Sequence, residues 1–253
     1  MLGENKQYLI TSRLNRLMND ENIETFDALI KKVNFDKKLK DRILDAMTTN
    51  ETSWFRDRYP FEILKNEVFP QVSSQRTNQM RVWSSASSSG QEAYSISMTV
   101  QEYLMSHPGG LPSKVEIVGT DISASMLAEA NMGRYDSLAM ARGLSPERKD
   151  RFFKQVTGEN FWELRDDLRK RVTFRELNLM SNYTLLGKFD VVFCRNVLIY
   201  FSADLKREIL EKIAGVMKPN GYLFLGGSES TANYTDRFEM VKLPAGVVYK
   251  LRS

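Results

Sequence analysis

Through residue 47 the apolar positions recur at helical spacing: Tyr8, Leu14, Leu17 and Met18, then Phe26, Leu29, Ile30 and Val33, then Leu39, Ile43 and Met47. This pattern predicts a small all-helical unit over 1–49, followed by a connecting stretch over 50–79. From Met80 the texture changes to short apolar runs alternating with amphipathic segments. MRVWSSA at 80–86 precedes a helix carrying Ile96, Val100 and Leu104, and VEIVGTDI at 115–122 precedes a short helix near 123–131. VTFRELNL at 172–179 and FDVVFCRN at 189–196 read as further buried strands. A helix with Leu205, Ile209, Ile213 and Val216 then ends at Pro219-Asn220-Gly221, and GYLFLGG at 221–227 follows as a strand.

Strand and helix alternating in this way predict an α/β domain over 80–253, with a mostly parallel sheet covered on both faces. FEMVKL at 238–243 and VVYKL at 247–251 have no helix between them and are expected to pair as an antiparallel hairpin at one edge. The segment RFFKQVTGENFWELRDDLRKRVTF interrupts the alternation. Its three short strand-like pieces, divided by Gly158-Glu159-Asn160 and by Asp166-Asp167, predict a small antiparallel β-subdomain inserted at about 151–176.

Composition narrows the setting. Cys194 is the single cysteine, which excludes an intrachain disulfide and a multi-cysteine zinc site and points to a reducing compartment. No apolar run approaches the roughly 20 residues that span a bilayer, and MLGENKQYLITSRLNR has no apolar signal core. The expectation is a cytoplasmic protein with no membrane insertion. Formal net charge is +4, and residues 31–42 alone carry +4, because Lys31, Lys32, Lys37, Lys38, Lys40 and Arg42 outweigh Asp36 and Asp41. Such a stretch is either a solvated helix face or a docking surface for an acidic partner.

In open parallel sheets ligands bind beyond the carboxyl ends of the strands, near the point where strand order reverses. At the first such end SSSGQEAYSI offers small side chains, one glycine (Gly90) and a helix N-terminus with free amides. At the second, Asp121 can accept hydrogen bonds from the two hydroxyls of a ribose, or it can cap the next helix in competition with Ser123 or Ser125. Glu92 falls in the first turn of its helix, where a carboxylate is also simply favoured by the dipole. Two carboxylates beside a small-residue loop repel a pyrophosphate and attract an ammonium or a sulfonium, so a cationic nucleoside is the better ligand.

Several longer stretches then resemble one family. TTNETSWFRD at 48–57, WSSASSSGQEAYSISM at 83–98, VGTDIS at 118–123, FRELNL at 174–179 and FDVVFCRNVLIYF at 189–201 are similar, in order, to the CheR chemotaxis methyltransferases. The resemblance runs from about residue 10 to the end of the sequence. It implies a Rossmann-like class I methyltransferase sheet with a helical N-terminal domain and an inserted β-subdomain. It also implies transfer of the methyl group of S-adenosylmethionine to glutamate side chains of chemotaxis receptors, with S-adenosylhomocysteine as product.

By the same resemblance, Asn50, Thr52, Arg56, Glu92, Asp121, Asn178, Leu179, Arg195 and Asn196 form the cofactor pocket, and Arg56 and Tyr200 stand at the reacting centre. Read from the residues alone, Arg56 beside Asp57 is a surface arginine and Tyr200 within LIYF a packed core tyrosine. The loop departs from the family's more frequent Thr-Gly-Glu-Glu-Pro at Gln91 and Ala93, while Glu92 keeps its place. No metal is implied. A glutamate with a side-chain pKa of about 4.3 is already ionised at neutral pH, so the reaction needs no strong general base. His107, the single histidine, lies in the turn sequence HPGG and is expected to be surface structure.

The implied partners are the cytoplasmic domains of methyl-accepting receptors, docked on the basic helical head. In some family members the inserted sheet captures a receptor C-terminal pentapeptide by strand addition. The loop through Gly158-Glu159-Asn160 lacks the extra paired glycines of those members, so such tethering is not expected here. Two rivals are a non-catalytic cofactor-binding module and a nucleic-acid methyltransferase. Against the second, Phe35 alone interrupts the basic residues, which gives no aromatic platform for stacking bases.

Overall fold

A computed structural model of the protein describes residues 7–75 and 77–252, with side chains from residue 11 onward; the Tyr8 side chain, which opens the apolar pattern, lies outside the described residues. The head consists of α1 (Gln7–Asp20), α2 (Phe26–Val33) and α3 (Lys37–Met47). Thr25 Oγ1 caps α2 by accepting from Ala28 N at 3.2 Å, and Asp36 Oδ1 caps α3 by accepting from Leu39 N at 3.0 Å. Leu14, Leu17, Met18, Ile23, Leu29 and Leu39 form a core of their own. Arg13 Nη1 donates to Met47 O at 3.0 Å, so α1 fastens the point where α3 ends and the next segment begins.

That segment carries α4 (Tyr59–Ile63), a π-helical turn (Leu64–Val68) and α5 (Phe69–Ser74) along the sheet. The remaining elements run β1 (Gln79–Ser85), α6 (Gln91–Ser106), β2 (Lys114–Asp121), α7 (Ala124–Met132), β3 (Arg134–Asp136), α8 (Ser137–Ala141), α9 (Pro146–Phe152), β4 (Phe153–Gln155), β5 (Phe161–Leu164), α10 (Asp166–Arg169), β6 (Val172–Glu176), β7 (Phe189–Cys194), α11 (Ala203–Val216), β8 (Met217–Leu225), β9 (Phe238–Leu243) and β10 (Gly246–Leu251).

The main sheet has the order β6-β2-β1-β7-β8-β10-β9. Its first five strands are parallel, and the β9–β10 hairpin closes one edge antiparallel, with β10 against β8. Neighbouring residues on the central strands serve opposite faces. Val82, Ile117 and Val191 pack into one core with Ile96 and Val100 of α6, while Trp83, Val118 and Val192 pack into the other with Ile209 and Ile213 of α11. Burial on both faces is why these strands read as continuous apolar runs. Among the described residues no helix is long and apolar enough to cross a membrane.

The structure corrects two sequence expectations. The small sheet has the order β3-β5-β4, so its third strand comes from Arg134–Asp136 and not from within 151–176. Val172–Glu176 belongs instead to the main sheet beside β2, and the Asp166-Asp167 pair opens α10. Three-residue strands carry too little periodicity to be read locally, and β3 finds its partner β5 far along the chain. The second correction concerns Pro219-Asn220-Gly221, expected as a turn between helix and strand. β8 begins earlier, at Met217, and passes through this triplet, with a shift in its register against β7 between Phe189 and Val191 and with Asn220 at φ +59°. The turn residues are absorbed as an irregularity of the strand.

Candidate active site

β2 and β7 flank β1 on opposite sides, which makes this the point where strand order reverses. Beyond the carboxyl ends of these strands lies a cleft of about 730 Å³, within the usual range for small-molecule sites. The connecting segment supplies one wall through Asn50, Thr52 and Arg56, and the end of α3 reaches it through Met47. Glu92, Asp121, Asn178, Leu179, Arg195, Asn196 and Tyr200 complete the set anticipated from the sequence, and every one of them lines this cleft.

Each arrives by a local device. Gly90 caps α6 with φ +94°, a conformation that side-chain-bearing residues rarely adopt, and a Cβ there would meet Ala130 at 3.0 Å. The loop before it stays compact although Ala86 and Ser88 also have positive φ. What holds it is Asp121: its Oδ2 accepts from Ser88 N at 2.7 Å, and its Oδ1 accepts from Ser123 N at 2.9 Å. Ser123 Oγ caps α7 by accepting from Met126 N, which resolves the choice left open by the sequence and leaves Asp121 facing the cleft. Each carboxylate oxygen has two acceptor sites, so capacity for a ligand hydroxyl remains. Ser123 Oγ also donates to Asp45 Oδ1 at 2.5 Å, which joins the helical head to this corner of the cleft.

Burial pushes the Asp121 carboxyl above the ordinary carboxylate range, against the lowering pull of the Ser123, Ser88 and Ile122 amides. Burial likewise raises Glu92, opposed chiefly by the Arg195 charge and by the hydrogen bond from Ser84. Both groups therefore take up protons at a higher pH than exposed carboxylates do, and a cation that needs them ionised is lost as pH falls through those raised values.

Arg195 lines the cleft wall as expected, and its side chain is committed to protein partners. Its side chain is 1% exposed and is engaged by protein on both sides. Nη1 donates to Glu92 Oε2 at 3.0 Å, and Nη2 donates to Asp57 Oδ2 at 2.6 Å and to Arg56 O at 3.0 Å. It knits α6 to the 55–58 turn, in which Phe55, Asp57 and Arg58 all have positive φ, and so holds the backbone that presents Arg56. Arg56 itself reaches the cleft with a single hydrogen bond, from Nη1 to Glu51 O at 3.3 Å. Tyr200 is 57% exposed on a short 3-10 turn, Leu198–Tyr200, so the packed-core reading of LIYF applies to Leu198, at 2%, and not to Tyr200.

Asn178 Oδ1 accepts from Met180 N at 2.9 Å, shaping the turn after β6. Asn50 O accepts from Ser88 Oγ at 2.8 Å, fastening the connecting segment to the loop. Gln91, where the sequence departs from its family, is buried, and its Oε1 accepts from Ser89 Oγ at 2.9 Å. His107 caps the far end of α6 and stacks on Tyr103, away from the cleft. Sequence reasoning missed Asp57 and Ser84 as partners of the buried network, and also Glu229. The signal for Glu229 was present: it stands just past the carboxyl end of β8, in the same region of the sheet where Asp121 ends β2.

On the head, Lys32 pairs with Glu21 at 3.2 Å, and Arg42 pairs with Glu21 and with Asp20. These two of the six basic residues are thus partly neutralised within the head. Lys31, Lys37, Lys38 and Lys40 are exposed.

The sheet order, the cleft at its reversal point and the helical N-terminal unit give an open α/β ligand-binding domain, and its family match makes it a class I S-adenosylmethionine-dependent methyltransferase. The chain belongs to the CheR methyltransferase family: residues 50–247 match the model described as CheR methyltransferase, SAM binding domain, and residues 1–48 match CheR methyltransferase, all-alpha domain. It is 50% identical to chemotaxis protein methyltransferase 1 of Pseudomonas aeruginosa, over 100% of this chain and 92% of that protein. It is 48% identical to chemotaxis protein methyltransferase 1 of Vibrio cholerae, over 100% and 91%. To the chemotaxis protein methyltransferase of Escherichia coli it is 31% identical, over 95% and 82%.

Proposed function

We propose that this methyltransferase acts in the cytoplasm as a protein-glutamate O-methyltransferase, esterifying glutamate side chains on the cytoplasmic domains of chemotaxis receptors. The observation that carries the reading is the convergence, on one cleft, of the buried Asp121 and the largely buried Glu92 carboxylates, suited to a cationic nucleoside, with an arginine and an exposed tyrosine at its mouth. S-adenosylmethionine, when bound, would supply a sulfonium methyl group for transfer to a glutamate oxygen, with S-adenosylhomocysteine as the product.

The residues fit that cofactor. Asp121 would accept from the ribose hydroxyls, Glu92 would contribute negative potential toward the positive end, and Asn50, Thr52, Asn178, Leu179 and Asn196 would enclose the remainder. Arg195 acts through Glu92 and the 55–58 turn. Arg56 and Tyr200 orient the reacting groups and exclude water, and alignment of this kind supplies about 7–11 kcal/mol. A tight clamp on the carboxylate would favour the ground state, because the nucleophile loses charge during attack. The single long hydrogen bond of Arg56 suits a residue that contacts the cofactor or an approaching loop.

Incubation with S-adenosylmethionine and receptor cytoplasmic fragments, followed by base treatment, should release methanol from the product. Cofactor binding without methanol would indicate a non-catalytic module, and base-stable label in nucleic acid would indicate the other rival. Arg56→Ala should lower methyl transfer by about tenfold, equivalent to about 1.4 kcal/mol, with an unchanged melting temperature. Early melting with full specific activity would make Arg56 structural.

Receptor docking on the head is supported by the four exposed lysines and by the acidity of methylatable helices. Charge reversal at Lys37, Lys38 and Lys40 should slow receptor methylation at low salt while cofactor affinity holds, and added salt should mimic the defect, since exposed charges are screened over about 8–10 Å at 0.1–0.15 M. Equal rates at subsaturating receptor would make these lysines a solvated face. Pentapeptide capture by the small sheet is not part of this reading. Micromolar binding of a receptor C-terminal pentapeptide would add it.

A further inference from the structure

Glu229 follows β8 in Gly226-Gly227-Ser228-Glu229, and its carboxylate faces three backbone amides. Oε2 accepts from Asn196 N and from Gly226 N, each at 2.7 Å, and Oε1 accepts from Ile199 N at 3.3 Å. One side chain thereby joins the ends of β7 and β8 to the turn that carries Tyr200. The slot exists because residue 226 is glycine: a Cβ there would stand 2.7 Å from Glu229 Oε2 and 2.8 Å from Asn196 Nδ2.

The turn needs an external tether. Asn196 leaves the strand with φ +57°, and Leu198 plugs into the core, while Ile199 and Tyr200 stand out 48% and 57% exposed. Within the turn, Tyr200 N donates to Val197 O at 3.2 Å and Phe201 N to Leu198 O at 3.0 Å. An exposed turn with few bonds opens readily, and a carboxylate accepting from its amide restrains it more strongly than a neutral group does.

We infer that Glu229 is a positioning residue that holds the Val197–Tyr200 turn, and with it the Tyr200 hydroxyl, at the mouth of the cleft. The inference rests on the reading that puts Tyr200 at the reacting centre. A glutamine at this position has one acceptor oxygen. Placed between Asn196 N and Gly226 N it keeps two bonds and turns its own N–H groups toward Ile199 N, so the strand ends stay tied and the turn is released.

The experiment compares E229Q, E229A, Y200F and the double variant Y200F/E229Q at saturating receptor fragment, with rates expressed per cofactor site counted by calorimetric titration with S-adenosylhomocysteine. Counting sites in this way removes any misfolded fraction from the rate. E229Q should lower kcat about tenfold and E229A on the order of a hundredfold, the scale expected when a reacting group is displaced by about 1 Å. The affinity of E229Q for S-adenosylhomocysteine should stay within about twofold of wild type, and the double variant should be no slower than Y200F, because both changes act on one group. Wild-type kcat in E229Q, or losses that multiply in the double variant, would overturn the inference. A wild-type rate in Y200F would instead remove Tyr200 from the reaction, and with it the reading on which the inference rests.

Discussion

Arg195→Ala should lower stability by about 3–5 kcal/mol, the usual cost of removing one partner from a buried ion pair. For a chain of this size, at about 2–4 °C per kcal/mol, that is a fall of roughly 6–20 °C in melting temperature. The cause is the carboxylate left behind. Glu92 lines the cleft with its side chain largely buried, and Arg195 is the main influence opposing the rise that burial imposes on its pKa. Without the guanidinium that pKa rises further.

A carboxyl whose folded-state pKa exceeds its unfolded value stabilises the fold below the unfolded pKa, and this contribution disappears as pH rises through the folded one. The defect should therefore be largest at neutral and alkaline pH and smaller in acid. Adding Glu92→Gln to Arg195→Ala should recover part of the loss by removing the unpaired charge. The same variant should also slow methyl transfer, since the 55–58 turn loses its bonds to Arg195 Nη2. Equal melting of wild type and Arg195→Ala across pH 5–9 would show the network to be energetically neutral.

Asp121→Ala should weaken cofactor binding by about 1.5–3 kcal/mol, or roughly 10- to 150-fold in Kd, through loss of the charge-assisted hydrogen bonds proposed between this carboxylate and the ribose. A second contribution comes from the apo protein. Ser88 N and Ser123 N lose their acceptor, so the loop containing the strained Ala86 and Ser88 loosens before any ligand arrives. Asp121→Asn keeps one good acceptor and should fall between the two. Titration with S-adenosylhomocysteine by calorimetry measures both effects, and unchanged affinity in Asp121→Ala would exclude this carboxylate from the cofactor site.

The sequence carried the plan of the main sheet because its central strands are buried on both faces, and burial on both faces writes itself as an apolar run. It also carried Asp121, since the end of such a run next to a helix start is a place where ligands bind irrespective of distant contacts. The identity of the remaining pocket residues was legible through family motifs, and all of them line one cleft.

Other features depend on partners far apart in the chain, and local pattern cannot specify them. Arg195 enters the pocket list through the family motif alone; only folding brings Glu92 and Asp57 to either side of it and buries its side chain. Tyr200 and Leu198 are both apolar in the linear pattern, and the turn at Asn196 decides which one enters the core. β3 becomes a strand because β5 offers a free edge, and Pro219-Asn220-Gly221 continues β8 because β7 can shift register to accept it. Glu229 acquires its three amides only where the ends of two strands and one turn meet. Apolar periodicity records which face of an element is buried, whereas the position of a polar group among distant partners is set by the tertiary packing that brings those partners together.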